Sequence, residues 1–140
     1  MMNQELLDFY RDVGRGLVEV RGPKSNARLL AMIRRWVPWA SDDSTTAWCG
    51  ILRAEAARAT QSEMPAKPFR ARMWITVGRS VAIENARPGD TVILERGRGG
   101  HVGLYLSRTA STVRLLGGNQ RNRVCEADYE IADVLGVRRV

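Results

Sequence analysis

Apolar residues recur at helical spacing over the first half of the chain and alternate with polar ones from about residue 80 onward. Leu6, Leu7 and Tyr10 share one face of a helix predicted over residues 3–12, and Gly14-Arg15-Gly16 ends it. Gly22-Pro23 marks a loop. Beyond it Leu29, Leu30, Ile33, Trp36 and Val37 form the buried stripe of a second helix, with Ser25 as its N-cap and Pro38 closing it. The polar run Ser41-Asp42-Asp43-Ser44-Thr45-Thr46 is dense in capping residues and leads into residues 47–60. That segment is alanine-rich and proline-free, which predicts a third helix with Cys49 in its first turn. A linker with Pro65 and Pro68 follows, then a short helix over residues 70–77 that Gly78 ends.

Beyond Gly78 the period is two. Residues 81–83, 91–95, 101–106, 112–116, 124–126 and 135–139 alternate or carry β-formers. Pro88-Gly89-Asp90 signals a turn, and Arg96-Gly97-Arg98-Gly99-Gly100 reads as a glycine-rich hairpin loop. Helices first and strands after, joined by hairpin-length connections, predict an α+β domain. Its N-terminal helices pack on one face of a mostly antiparallel sheet of five to six strands.

A chain of 140 residues suits one domain with one hydrophobic core. The division expected is a helical extension over 1–17 and a core over 18–140. No stretch approaches the roughly 20 apolar residues of a membrane span. Met1-Met2-Asn3-Gln4-Glu5 lacks the basic and apolar regions of a secretory signal. Lys and Arg number 22 against 15 Asp and Glu, a net charge of +7, and only Lys24 and Lys67 are lysines. The arginines are dispersed, which favours polyanionic partners in general, although an arginine-rich genome composition would leave the same trace. Nucleic acid is not expected, since no recognised binding motif accompanies the charge. Two cysteines make no disulfide framework, and one histidine with two cysteines does not make a structural zinc site. A reducing compartment with a free thiol is the expectation.

The only histidine lies in Gly99-Gly100-His101-Val102-Gly103-Leu104-Tyr105, at the mouth of a strand and flanked by glycines that allow close approach. Cys49, in Ala47-Trp48-Cys49-Gly50, opens a helix, where unpaired N–H groups favour a thiolate and an oxyanion. Asn119, in Leu116-Gly117-Gly118-Asn119-Gln120, ends the strand that pairs with that of His101. Its amide oxygen could accept the ring N–H and set the tautomer, with Gln120 taking the role if the register slips by one. Nucleophile, base and orienter are thus all present. Duller readings stand beside these. Cys49 is equally a small buried hydrophobe, His101 a surface residue and Asn119 a turn residue. Cys125, mid-strand, reads as structural. Asp42 and Asp43 offer two carboxylates for calcium, but capping of the Cys49 helix explains them as well. Glu19 stands isolated.

Taken in order, Trp48-Cys49, Ala71-Arg72-Met73-Trp74, Arg87-Pro88-Gly89-Asp90, Gly100-His101-Val102-Gly103-Leu104-Tyr105 and Leu116-Gly117-Gly118-Asn119-Gln120 resemble the NlpC/P60–CHAP superfamily, in its small phage and prophage branch. Pro23-Lys24-Ser25-Asn26 fits the asparagine-rich opening of that branch, so the likeness spans about residues 18–140. It implies a papain-like fold and hydrolysis of an amide bond in peptidoglycan, by endopeptidase or N-acetylmuramoyl-L-alanine amidase action. It also implies Cys49 as nucleophile, His101 as base and Asn119 as third member, with Trp48, Gly100 and Gln120 at the substrate and no cofactor. Ala47 and Gly50 depart from the Pro-Trp-Cys-Ala usual there, and a glycine in the first turn weakens the helix slightly. The partner expected is peptidoglycan, with an anionic wall or outer-membrane surface aiding attachment. The protein expected is a monomer held in a host cytoplasm until release or carried on a virion. A secretion-system effector would share the chemistry, and an inactive virion or wall-binding module would share only the fold.

Overall fold

The computed structural model describes residues 2–17, 19, 26–41, 43 and 47–140. Three α-helices, α1 (Met2–Gly14), α2 (Ala27–Trp36) and α3 (Cys49–Thr60), precede six strands: β1 (Arg79–Val81), β2 (Thr91–Arg96), β3 (Gly99–Arg108), β4 (Thr112–Gln120), β5 (Arg123–Glu130) and β6 (Val134–Arg139). The segment expected as a short helix near residue 70 is a 3-10 helix, Ala71–Thr76. No helix among the described residues is long and apolar enough to cross a membrane.

Capping follows the chemistry of asparagine. The Asn26 side chain accepts from the Leu29 amide at 3.1 Å and so opens α2, while the Asn26 N–H donates to Asp43 Oδ2 at 2.7 Å. Ser25, expected in that role, lies outside the described residues. Asp43 thus anchors the start of α2, and the N-cap of the Cys49 helix is Trp48, which makes no side-chain cap hydrogen bond. Every residue of α3 from Cys49 to Ala57 is buried. That explains its alanines: a helix covered on all sides has no polar face to show and little room to fill. Residues of α1 share this core. Leu6, Leu7 and Tyr10 pack with Leu29, Ile33, Trp48 and Leu104, so the expected N-terminal extension is an integral layer.

The strands form one antiparallel sheet in the order β1-β6-β2-β3-β4-β5, with the helices on one face. Ile93, Val102, Leu104 and Leu116 face the helices. Val92, Leu94, Tyr105, Val113, Leu115 and Val137 form a second core on the other face, with Ile83 and Ile131 packed against it. Burial on both faces is why Val92-Ile93-Leu94 is continuously apolar where a half-buried strand would alternate.

Asp90 ties the layers together. Its buried carboxylate accepts from Arg139 Nε and Nη2, both at 2.7 Å, from Asn3 Nδ2 at 2.8 Å and from the Arg87 amide at 2.8 Å. The start of α1, the β2 turn and the end of β6 meet on one side chain. Burial pushes its pKa up, but the bonds from Arg139, Arg87 and Asn3 outweigh burial and hold the carboxyl below its ordinary range. Its contribution is therefore present above the unfolded carboxylate pKa and lost as pH falls through the lower folded value. Asp90→Ala, which leaves Arg139 unpaired, is expected to cost roughly 3–5 kcal/mol in urea denaturation at pH 7. Arg139→Ala in the same background should add much less than it costs alone, because the two side chains act as a unit.

Candidate active site

Gln120 is held before it reaches the histidine. Its Nε2 donates to the Cys125 carbonyl at 2.6 Å and to the Leu115 carbonyl at 3.3 Å. Only its oxygen is then left, and Oε1 stands 2.8 Å from His101 Nε2. The ring must donate there, so Nε2 carries the proton and Nδ1 keeps its lone pair. Nδ1 is buried and has no hydrogen-bond partner. The Tyr129 hydroxyl lies 3.3 Å from the same Nε2, and the two rings meet tilted by 33° at 5.2 Å between centroids. Burial, helped by the charge of Arg96 and opposed by the Gln120 bond, pushes His101 down to about 4. The imidazole is neutral at physiological pH.

Two glycines and a bulge make this contact. A Cβ on Gly117 would collide with Gln120 Oε1 and come within 3.3 Å of His101 Nε2, and one on Gly118 would meet Trp48 and Leu52 of the α3 layer at 2.8 Å. The β4–β5 register shifts between Gly117 and Gln120, and Asn119 sits in the left-handed region at φ 59°. In an unbroken strand Asn119 would share the face of Gly117. The bulge displaces it and turns Gln120 onto that face instead. The orienting contact to His101 thus comes from Gln120, and no hydrogen bond joins Asn119 to the ring.

Cys49 is the first residue of α3 and is 4% exposed. The paired register of β3 with β4 ends at Leu104↔Leu116, and beyond it the Val102 N–H, next in the chain to His101, points at the Cys49 thiol. The amides of Gly50 and of Cys49 itself also face the sulfur. Burial is the larger effect and pushes the thiol up. Cys49 and His101 share no hydrogen bond. His101, Tyr129, Leu94, Arg96 and Gly97 line a cleft of about 490 Å³ on the sheet face away from the helices.

The other expected site residues serve packing. Trp48 is wholly buried, its indole N–H donating to Glu19 Oε1 at 2.8 Å, so it presents no surface to a substrate. Glu19 in turn donates its amide to the Asn122 carbonyl at 2.8 Å, linking the β4–β5 turn to the start of α3. Gly100 leaves space for Arg72, whose Cγ a Cβ there would meet at 2.7 Å. Gly50 makes room for the Pro68 and Phe69 backbone, which crosses the start of α3. Cys125 donates its thiol to the Gln120 carbonyl at 3.3 Å and supports that loop. Among the described residues no group of three or more His, Cys, Asp or Glu is placed to hold a metal; Asp42 lies outside them. Tyr129 escaped the sequence reading because β5 runs four residues past its expected end at Glu126.

Because His101 stays neutral when folded, the unfolded chain binds its proton more readily between pH 6.5 and about 4. Stability should fall by on the order of 3 kcal/mol across that window as pH is lowered. In ¹⁵N NMR the ring is expected as the Nε2–H tautomer down to about pH 4, with a slowly exchanging Nε2 proton. Gly117→Ala should abolish that protected proton by evicting Gln120. The chain matches no family model and no curated protein, so what this site does has to be read from its own residues.

Proposed function

We propose that the protein is a cysteine hydrolase that cleaves an amide bond of bacterial peptidoglycan, as an endopeptidase or N-acetylmuramoyl-L-alanine amidase of the phage endolysin type, on a papain-like fold of the NlpC/P60–CHAP kind. The observation that carries this reading is the buried, neutral imidazole with Nε2 committed to Gln120 and Nδ1 left bare. A tautomer held in this way is what a general base needs. The adjacent Val102 amide, pointing at the Cys49 thiol, supports the pairing with that nucleophile.

In this mechanism His101 Nδ1 takes the thiol proton as Cys49 Sγ attacks the carbonyl carbon. The Cys49 and Gly50 amides stabilise the oxyanion. Collapse breaks the C–N bond, the amine leaves with the proton from Nδ1, and a thioester remains. Water, deprotonated by the same nitrogen, then releases the acid and restores the thiol. Gln120 keeps the ring oriented throughout. The +7 charge supports retention on an anionic wall, weakening with salt.

Digestion of purified peptidoglycan, read by mass spectrometry, tests this. Wild type should release fragments whose new termini identify the bond, and Cys49→Ala should release none. Gln120→Ala should lower kcat/KM by roughly 10²- to 10⁴-fold, and Asn119→Ala by only about a few fold. Fragments released equally by Cys49→Ala would overturn the nucleophile. No release by wild type, with binding to the wall retained, would replace the hydrolase by a wall-binding module.

A further inference from the structure

The sheet order brings the β2–β3 and β4–β5 turns to the same end, on either side of the strand mouth that holds His101. Both turns carry two arginines: Arg96 and Arg98 on one, Arg121 and Arg123 on the other. We propose that these two hairpin tips form a binding site for a free carboxylate of the substrate, beside the reacting amide. The inference rests on the amide-hydrolase reading and adds the substrate feature that the cleft selects.

Arg96 follows Leu94 on the His101 face of β2 and lines the His101–Tyr129 cleft. A second concavity, about 330 Å³, shares Arg96 and Tyr129 with that cleft and continues past Gln120 to Arg121. Arg121 and Asn122 both occupy the left-handed region, at φ 49° and 64°, as a two-residue type I′ turn requires. Asparagine or glycine would adopt the Arg121 conformation at lower cost. Its presence there sets a long cation at the rim of the site.

Arg35, Arg72, Arg114 and Arg139 each pair with a carboxylate of the protein. Among the described residues Arg96, Arg98, Arg121 and Arg123 are exposed and make no ion pair. The carboxylates lining the two concavities are Glu95, Asp133, Glu126 and Asp128. Arg72 engages Glu95, and Arg114 engages Glu126 and Asp128. Arg114 is one cation against two carboxylates, so with Asp133 two negative charges remain against Arg96 and Arg121 on the lining and Arg98 and Arg123 at the hairpin tips, and the rim is positive. A guanidinium binds a carboxylate through two parallel N–H donors, which gives orientation as well as charge.

Binding can be separated from cleavage with the Cys49→Ala protein. The probes are the C-terminally amidated tetrapeptide Ala-Glu-Lys-Ala and its amidated counterpart with glutamine in place of glutamate, titrated by calorimetry, with His101 Nε2–H followed by NMR. The glutamate peptide should bind about tenfold tighter or more and shift the His101 signal. In Arg96→Gln/Arg121→Gln the preference should vanish while the protected His101 proton persists, showing that the site has not unfolded. Equal affinity for the two peptides, or a preference surviving in the arginine variant, would overturn the carboxylate site. Displacement of the peptide by a single-stranded oligonucleotide at a hundredfold lower concentration would overturn it in favour of a polyphosphate ligand. A preference in Cys49→Ala alongside a wild type that digests no peptidoglycan would keep the carboxylate site and remove the cleavage reading. Digestion without any preference would do the reverse.

Discussion

Gln120 spends both of its amide hydrogens on main-chain carbonyls, and the arrangement around His101 follows from that commitment. With its nitrogen bound to Leu115 and Cys125, the amide cannot flip. The oxygen is therefore the only group it offers, and an imidazole facing it must donate. Everything nearby makes room for this contact. Gly117 leaves space for the amide, the left-handed Asn119 turns the chain so that Gln120 reaches the right face, and Gly118 lets Trp48 and Leu52 press against the back of the strand. Glu19 then fastens the following turn to the Trp48 indole. One side-chain amide is thus coupled through the sheet to the helix that begins with Cys49.

How much of this can be read from residues alone depends on whether the determining contact is local. Helix α1, the stripe of α2 and strands β2 to β6 follow from period and punctuation, which are properties of neighbouring residues, whereas the strand expected over 81–83 lies at Arg79–Val81 and Ile83–Asn85 is a 3-10 turn. The insertion of β6 between β1 and β2 does not, because residues 134–139 carry no mark of the strands they will join. Cys49 and His101 stand out by residue type and by the glycines and helix start around them. The side chain that hydrogen-bonds His101 was legible only to within one position: alternation assigns a face to Asn119, and a bulge turns Gln120 onto it without changing any local pattern. Trp48 shows the opposite error. Its place beside the cysteine suggests a role toward substrate, whereas its burial is set by Gly118 on a distant strand.

Charge burial is handled differently on the two sides of the sheet. Asp90 and Arg139 neutralise each other through two 2.7 Å bonds and join three elements. Arg53, one turn beyond Cys49 on α3, is buried with only its Nε bonded, to Thr91 Oγ1 at 3.1 Å, and its guanidinium lies 4.4 Å over the Trp74 ring. Both terminal nitrogens lack partners, and burial lowers its pKa to about 10. The ring face compensates part of that desolvation. An alanine-rich helix between two layers tolerates such a residue because its small neighbours leave a path for the long side chain, and Trp74 covers it.

The same desolvation governs the proposed chemistry. A thiolate–imidazolium pair needs water or fixed dipoles around both charges, and here burial pushes the Cys49 thiol up and the His101 ring down. Both shifts favour the neutral pair at rest. The attacking thiolate would then arise only as its proton moves to Nδ1 during attack, with the negative charge passing to the carbonyl oxygen beside the Cys49 and Gly50 amides. Such a site holds little free thiolate for stray electrophiles. The proposed reaction would instead need a substrate that reaches from the His101 cleft, which Cys49 does not line, to bring its carbonyl to the sulfur. In that setting the arginines at the hairpin tips have a second consequence: a substrate anchored there by its carboxylate would enter in one orientation, and the binding energy of a remote group would serve the reacting amide.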